Sequence, residues 1–344
     1  MGEGLASAGR TGIPWRAMTL GKQILYLSGA DVVRTGLTMA EIIEAVDGGF
    51  VELGHGRVEM PPKPGIHPGD NPDNFVHAMP AYIPALKSAG VKWVSGYPGN
   101  QAKGLPYITG LLILNDPDTG IPLSVMDCTW ITAMRTGAVS AICARYLARH
   151  DSSTIGIVAC GVQGRANLEA INELFALKKV KAFDPAAENA RRLVESARRL
   201  GLEAEVVDQP RKAVSGCDIV VTSGPILKVP HATIQAGWLD EGAFASLVDF
   251  DSYYSREAIA QADKWATDHL GQYRYYRDIR GYFQQCPEPY ADLGDLVTGK
   301  KPGRERPDER TFGVNLGLAM EDMAVAPRVY RRALEMKIGA WLPL

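Results

Sequence analysis

The chain has 344 residues, 46% of them hydrophobic and 22% charged, with a formal net charge of −2. This is the composition of a folded protein, and its charge balance gives no bulk attraction to nucleic acid. No apolar run reaches the roughly 18 residues of a membrane helix, and the length suggests two domains at roughly 100–200 residues each.

The opening MGEGLASAGRTGIPWR lacks the apolar core of an export signal and reads as a flexible leader. Five scattered cysteines with no C-x-x-C pair, and six histidines without ligand spacing, predict reduced thiols in a cytoplasmic protein and no metal. Ile24–Val32 reads as a strand and turn. Thr38–Leu53 reads as an amphipathic helix, with Ile42, Ile43, Val46 and Phe50 on one face and Thr38 and Glu41 forming a capping box. A Pro- and Gly-rich loop spans Pro61–Asn74. The strand-like runs VKWVSGYP and PYITGLLILND follow, the second closed by the turn DPDTG. Strands joined by turns, with few helices, predict a substrate or assembly domain here.

From Cys128 the pattern changes. A long helix, TWITAMRTGAVSAICARYLAR, leads into strands and helices in alternation, the signature of βαβ units and a parallel sheet. The run TIGIVACGVQGRANLEAINELF has the strand–turn–helix context of a dinucleotide fingerprint. Gly161, Val162, Gln163 and Gly164 form the turn, with Ala159 in place of the first glycine, which a tight turn accepts while its φ stays negative. Asp184 ends the next strand about 20 residues on, where a carboxylate accepts the ribose hydroxyls of NAD and repels the extra phosphate of NADP. It also suits the start of the following helix, and Arg191 and Arg192 are the residues that would favour NADP. The strand CDIVVTSG brings Thr222 and Ser223 to the same site.

The segment from VKWVSGYPGNQAKGLPYITG through DPDTG to ITAMRTGAVSA, with GVQG and the helix LGLAMEDMAVAPRVYRRAL, resembles the ornithine cyclodeaminase/mu-crystallin family over about residues 40–340. The resemblance implies an α/β fold in which a Rossmann NAD-binding domain (136–311) is inserted into an α+β substrate-binding and dimerisation domain (1–135 plus 312–344), and it implies a homodimer. It also implies a nicotinamide-dependent enzyme of small amino acids, keto acids with amines, or imines, with hydride moving between nicotinamide C4 and the substrate α-carbon. The expected reaction is imine reduction or amino-acid dehydrogenation. A cyclodeaminase releasing ammonia, or a non-catalytic binding protein like mu-crystallin, is the alternative.

Arg135 stands in the middle of the apolar stripe Ile131, Ala138, Val139 and Ile142, where a guanidinium is costly unless paired. It reads either as a structural ion pair or as the carboxylate clamp that the family arginine provides. Lys92, in V-K-W-V, reads as a sheet-edge charge or, by the resemblance, as the active-site lysine. Lys63 takes the place of a family arginine that grips the carboxylate, and Tyr107 in GLPYITG would narrow the pocket. His67 and His77 read as structural or solvent-facing. The family places a nitrogen-binding aspartate near SLVDFDSYYS. Asp249 is favoured and Asp251 is the alternative, two residues on and so on the same face of a strand end.

Overall fold

The structure, a computed structural model, describes residues 20–344, so the expected leader lies wholly outside the described residues. Two sheets organise the chain. The first has seven strands: β1 (Gln23–Leu27), β2 (Gly65–Ile66), β3 (Phe75–Ile83), β4 (Ser88–Gly96), β5 (Ile108–Asn115), β6 (Pro122–Asp127) and β15 (Ala340–Pro343), in the order β15-β1-β6-β5-β4-β3-β2. Only the β1–β6 pair is parallel; the others are antiparallel.

The second sheet is parallel throughout. It contains β7 (Thr154–Val158), β8 (Lys179–Phe183), β9 (Glu203–Val206), β10 (Ile219–Thr222), β11 (Phe244–Leu247), β12 (Lys264–Thr267), β13 (Ala291–Asp292) and β14 (Thr311–Val314), in the order β13-β12-β14-β11-β10-β7-β8-β9. Its central strands are buried along their whole length, as strands covered on both faces must be.

Helix α1 (Met39–Gly54) forms as its pattern predicts. The Thr38 hydroxyl accepts the Glu41 N–H, Glu41 accepts the Thr38 N–H at 2.8 Å, and Met39, Ile42, Ile43, Val46 and Phe50 are buried. Ile24–Val32 is a strand that passes directly into a short helix, Gly29–Arg34, capped by Ser28 and Asp31, rather than into a simple turn. Helix α2 (Thr129–Leu147) is buried along most of its length, and α6 (Ala319–Met336) packs on α1, β3 and β4.

β15 pairs with β1, so both described ends lie in one sheet. The division expected at 135/136 falls inside α2, and that at 311/312 falls inside β14. A helix and a strand shared between layers carry no boundary in their own composition. Among the described residues no helix is long and apolar enough to cross a membrane.

Candidate active site

The glycine turn joins β7, between β10 and β8 in the sheet, to helix α3 (Val162–Leu174), for which Gly161 is the N-cap. Gly164 is in close contact: a Cβ there would come 2.7 Å from the Ala159 carbonyl oxygen and 3.1 Å from Ile157 Cγ2. Gly161 is the opposite case, with nothing within 4 Å of the place a Cβ would take. The space in front of a 13-residue helix N-terminus is thus open to a group seeking N–H donors.

Ala159 corrects the expectation of a negative φ. It sits at +71°, a left-handed conformation that costs a non-glycine residue about 1–2 kcal/mol. The surrounding bonds hold it there: its N–H donates to Phe183 O at 2.9 Å and its carbonyl accepts the Ser223 hydroxyl at 2.7 Å.

Asp184 lies beside this turn. It accepts the Cys160 N–H at 2.8 Å through one oxygen and the Ala186 N–H at 2.8 Å through the other. Thr222 and Ser223 turn their hydroxyls inward, to Asp249 and Ala159 respectively. Val162 is exposed, and Arg191 and Arg192 both pair with Glu188 on the surface. The open glycine, the close glycine and the strand-end acid together fit the pyrophosphate and ribose of a dinucleotide.

A cavity runs from Gln163 and Gly224 at this end to Lys63, Lys92 and Arg135. These three cations, predicted one at a time, are brought together on its floor. Lys92 on β4 lies 2.6 Å from Asp322, and Arg135 on α2 lies 3.3 Å from the same carboxylate and pairs its Nη1 with Glu321. Lys63 Nζ donates to Leu316 O at 2.7 Å and Gly317 O at 2.9 Å, and Asp268 accepts the Gly317 N–H at 2.8 Å.

Gly317 is irreplaceable here by geometry. Its φ is +74°, and a Cβ would sit 2.7 Å from Arg135 Nη1. All six charged side chains are buried. Burial pushes Lys63 down to about 7 and Asp268 up to about 7, while it lowers Lys92 and raises Glu321. For Arg135, burial opposes the charge, but Asp322 and Glu321 outweigh it and hold the guanidinium above its ordinary value.

Asp249, with Asp251 on the same face as the alternative, was expected to hold the substrate nitrogen. The structure brings neither to the cavity wall. Phe250, between them, has φ +61° and lines the cavity, packed against Tyr276 and Phe283 at ring distances of 5.2 and 5.0 Å. A left-handed residue breaks the alternation of a strand, so the flanking carboxylates turn into the protein. Asp249 accepts the Thr222 hydroxyl at 2.8 Å and the Gly224 N–H at 2.9 Å, and burial raises it to about 7. Asp251 faces the Cys286 thiol at 3.9 Å and is also raised by burial.

Tyr107 lines the cavity, with its phenol pushed up to about 12 by burial. His77, buried and stacked on Phe75, and His67, exposed, line it as well. Asp268, Glu321, Asp322 and Phe250 were not singled out from the sequence. The only signal was the E-D pair inside the apolar helix LGLAMEDMAV.

The parallel sheet, its glycine turn and the charged floor define a protein of the dinucleotide-binding fold class. The chain belongs to the ornithine cyclodeaminase/mu-crystallin family, whose model matches residues 26–337. It is 36% identical to the alanine dehydrogenase of Archaeoglobus fulgidus over 317 residues, 90% of this chain and 95% of that one. The structure of Thermococcus litoralis Δ1-pyrroline-2-carboxylate reductase with NADH and L-proline superposes with a TM-score of 0.85 at 34% identity, covering 92% of this chain and 99% of that one. An archaeal alanine dehydrogenase dimer with bound NAD gives a TM-score of 0.82 at 33% identity, covering 93% and 99%.

Proposed function

We propose that the protein is an NAD(H)-dependent oxidoreductase of small amino acids and their imines, acting as an imine reductase or amino-acid dehydrogenase. One observation carries this reading: Gln163 and Gly224, at the nucleotide end, line the same cavity as Lys63, Lys92 and Arg135. Bound in that cradle, the nicotinamide supplies or accepts a hydride at C4. In the reductive direction >C=NH, NADH and H⁺ give >CH–NH2 and NAD⁺. Arg135, fixed from behind by Glu321 and Asp322, and Lys63, with two of its protons on carbonyls, hold the substrate carboxylate. Lys92 presents the charge nearest the reacting nitrogen and moves its proton. This is pre-organised charge in a site that excludes water, where it counts for more than in solvent. The preference for NAD over NADP rests on Asp184 beside the turn and on Arg191 and Arg192 being tied to Glu188.

The test is NADH oxidation with a panel of 2-oxo acids plus ammonium or methylamine, with cyclic ketimines, and with ornithine. Steady NADH consumption supports the proposal. Ammonia release from ornithine without net NADH change identifies a cyclodeaminase instead, and NADH binding without any turnover identifies a mu-crystallin-like binding protein.

Asp249 acts in this reading through the Thr222–Gly224 turn that borders the nicotinamide. Asp249→Asn keeps one acceptor and is expected to raise KM for NADH several-fold with a smaller change in kcat. A loss of kcat with KM for NADH unmoved would return Asp249 to direct contact with the substrate nitrogen.

We also infer a homodimer in the cytoplasm. The inner face of the first sheet is covered by α6, while its outer face is apolar and open: Trp93 is 53% exposed and faces Leu111 across β4 and β5, itself 44% exposed. Contiguous apolar surface of this kind marks an interface. Trp93→Glu with Leu111→Lys is expected to convert the dimer to a monomer by light scattering. A cytoplasmic site suits the free thiols of all five cysteines.

A further inference from the structure

The rim of the cavity carries positive charge that the floor chemistry does not use. Arg280 follows helix α5 (Leu270–Asp278) and lines the cavity. Its Nη2 donates to His67 Nε2 at 2.7 Å, and His67 Nδ1 lies 2.8 Å from the Asn74 carbonyl oxygen. A guanidinium only donates, so the His67 ring nitrogen that meets it accepts. Arg280 is therefore held in place without being neutralised.

Lys228 adds a second cation. Its Nζ bonds the Arg280 carbonyl and sits 3.9 Å from the centre of the Tyr282 ring. Among the described residues lining the cavity Asp73 is the one carboxylate, and it accepts the Lys228 N–H at 3.0 Å. Of the charged side chains lining this end, Arg280 is the cation and Asp73 the anion, with Lys228 bonded to the Arg280 carbonyl, while the three floor cations face three buried carboxylates.

Between the two ends the walls are apolar: Phe75, Phe250 and Tyr276. His77 lies in this middle section. Burial first, then Lys63 and Arg280, hold it down at about 2, so cations from both ends act on one residue. An aromatic-walled passage with a cation at each end suits a short chain of methylenes carrying an acidic group at each end. Low local polarity strengthens the pull of the rim guanidinium on such a group, and its planar fork matches a carboxylate.

We propose, resting on the reductase or dehydrogenase reading above, that the substrate is a 2-amino (or 2-imino) dicarboxylic acid, its second carboxylate bound by Arg280 at the cavity rim. The hydride chemistry is unchanged; the second carboxylate only selects the molecule. Arg280 is a specificity-determining residue.

The experiment compares isosteric pairs in the oxidative direction with NAD: L-glutamate against L-glutamine, and L-aspartate against L-asparagine. The same assay run in reduction compares 2-oxoglutarate with 2-oxovalerate, each with ammonium. The intact protein is expected to favour the acid of at least one pair in kcat/KM. Arg280→Met is expected to lower that acid-to-amide ratio by about 10–100-fold, the span of one charge-assisted hydrogen bond, and Arg280→Lys to restore part of it. Binding gives a second readout: with NADH present, glutarate should quench nucleotide fluorescence at lower concentration than valerate, and Arg280→Met should remove the difference.

Preference for the amides, or equal loss on both members of a pair in Arg280→Met, overturns the inference and leaves the oxidoreductase reading standing. A rise in KM for NADH with no change of ratio assigns the rim cation to a cofactor phosphate and also overturns it. No turnover of any amino acid or 2-oxo acid sinks the underlying reading, and the inference with it.

Discussion

Replacing Asp322 by Leu is expected to cost the fold about 3–5 kcal/mol, because it strips the counter-charge from a buried ion pair. Lys92 and Asp322 are both fully buried at 2.6 Å, and Arg135 leans on the same carboxylate at 3.3 Å. With Asp322 gone, Arg135 keeps Glu321, whereas Lys92 keeps only a long bond of 3.4 Å to the Thr132 hydroxyl. Lys92→Met combined with Asp322→Leu removes both charges and fills their volume with apolar atoms, which is often neutral or stabilising. The double variant should therefore recover most of the stability lost in the single one, as read from urea midpoints. Its turnover should stay about 100–1000-fold down, the cost of removing one pre-organised stabilising group. A double variant as active as the intact protein would reduce Lys92 to a structural charge. One no more stable than Asp322→Leu alone would show that desolvation of Lys92 is not what Asp322 offsets.

The same cluster shows what a sequence can and cannot disclose. Lys92 and Arg135 stand out because each interrupts an apolar setting, a property of near neighbours in the chain, while Lys63 was reached only through the family resemblance. Glu321 and Asp322 also interrupt an apolar run, but acidic residues in the first turn of a helix are what the helix dipole favours anywhere, so the mark is ambiguous. Only their burial under β3 and β4 makes them the other half of the site. Helix α1 was legible to its cap because the capping box and the apolar face are both local. β3 was missed: FVHAMPAYI interrupts its alternation with a proline and a histidine, and the 84–87 connection to β4, PALK, carries no Asn-Gly or Asp-Gly hairpin signal. The shared face expected of the strand-end aspartates was lost for a different reason. Alternation puts Asp249 and Asp251 on one face, but φ of +61° at Phe250 breaks it, and nothing in a phenylalanine announces a left-handed backbone. Ala159 misled in the same way. Both residues lie at turns beside the cavity, where surrounding bonds impose a backbone that local preference opposes.

Carboxylate binding should weaken as pH rises above 7, because Lys63 is poised there. Burial pushes its ammonium from 10.5 down to about 7, opposed by Asp268 and reinforced by Arg135 and Lys92. A substrate carboxylate adds a negative neighbour and draws a proton back onto Lys63. KM for the carboxylate substrate should then climb with pH above about 7, by at most about tenfold per unit, while binding takes up protons. Calorimetry in buffers of different ionisation enthalpy measures that uptake directly. Lys63→Arg, whose guanidinium stays charged across this range, should flatten the dependence and abolish the uptake.

The ligand-free protein carries the complementary sign. Lys63 binds its proton less tightly folded than unfolded, so its contribution to stability increases as pH rises from about 7 towards 10.5. Asp268 is raised from 3.8 to about 7 and binds its proton more tightly folded, so its contribution is lost as pH rises through that window. The two together put the weakest point of the ligand-free floor near pH 7, where an added carboxylate gives Lys63 the counter-charge it lacks. Because the carboxylate binds the protonated Lys63, the rise in melting temperature it produces should be at its full value at and below about pH 7 and shrink towards pH 9. A rise that grows with pH would exclude Lys63 as the residue that takes up the proton.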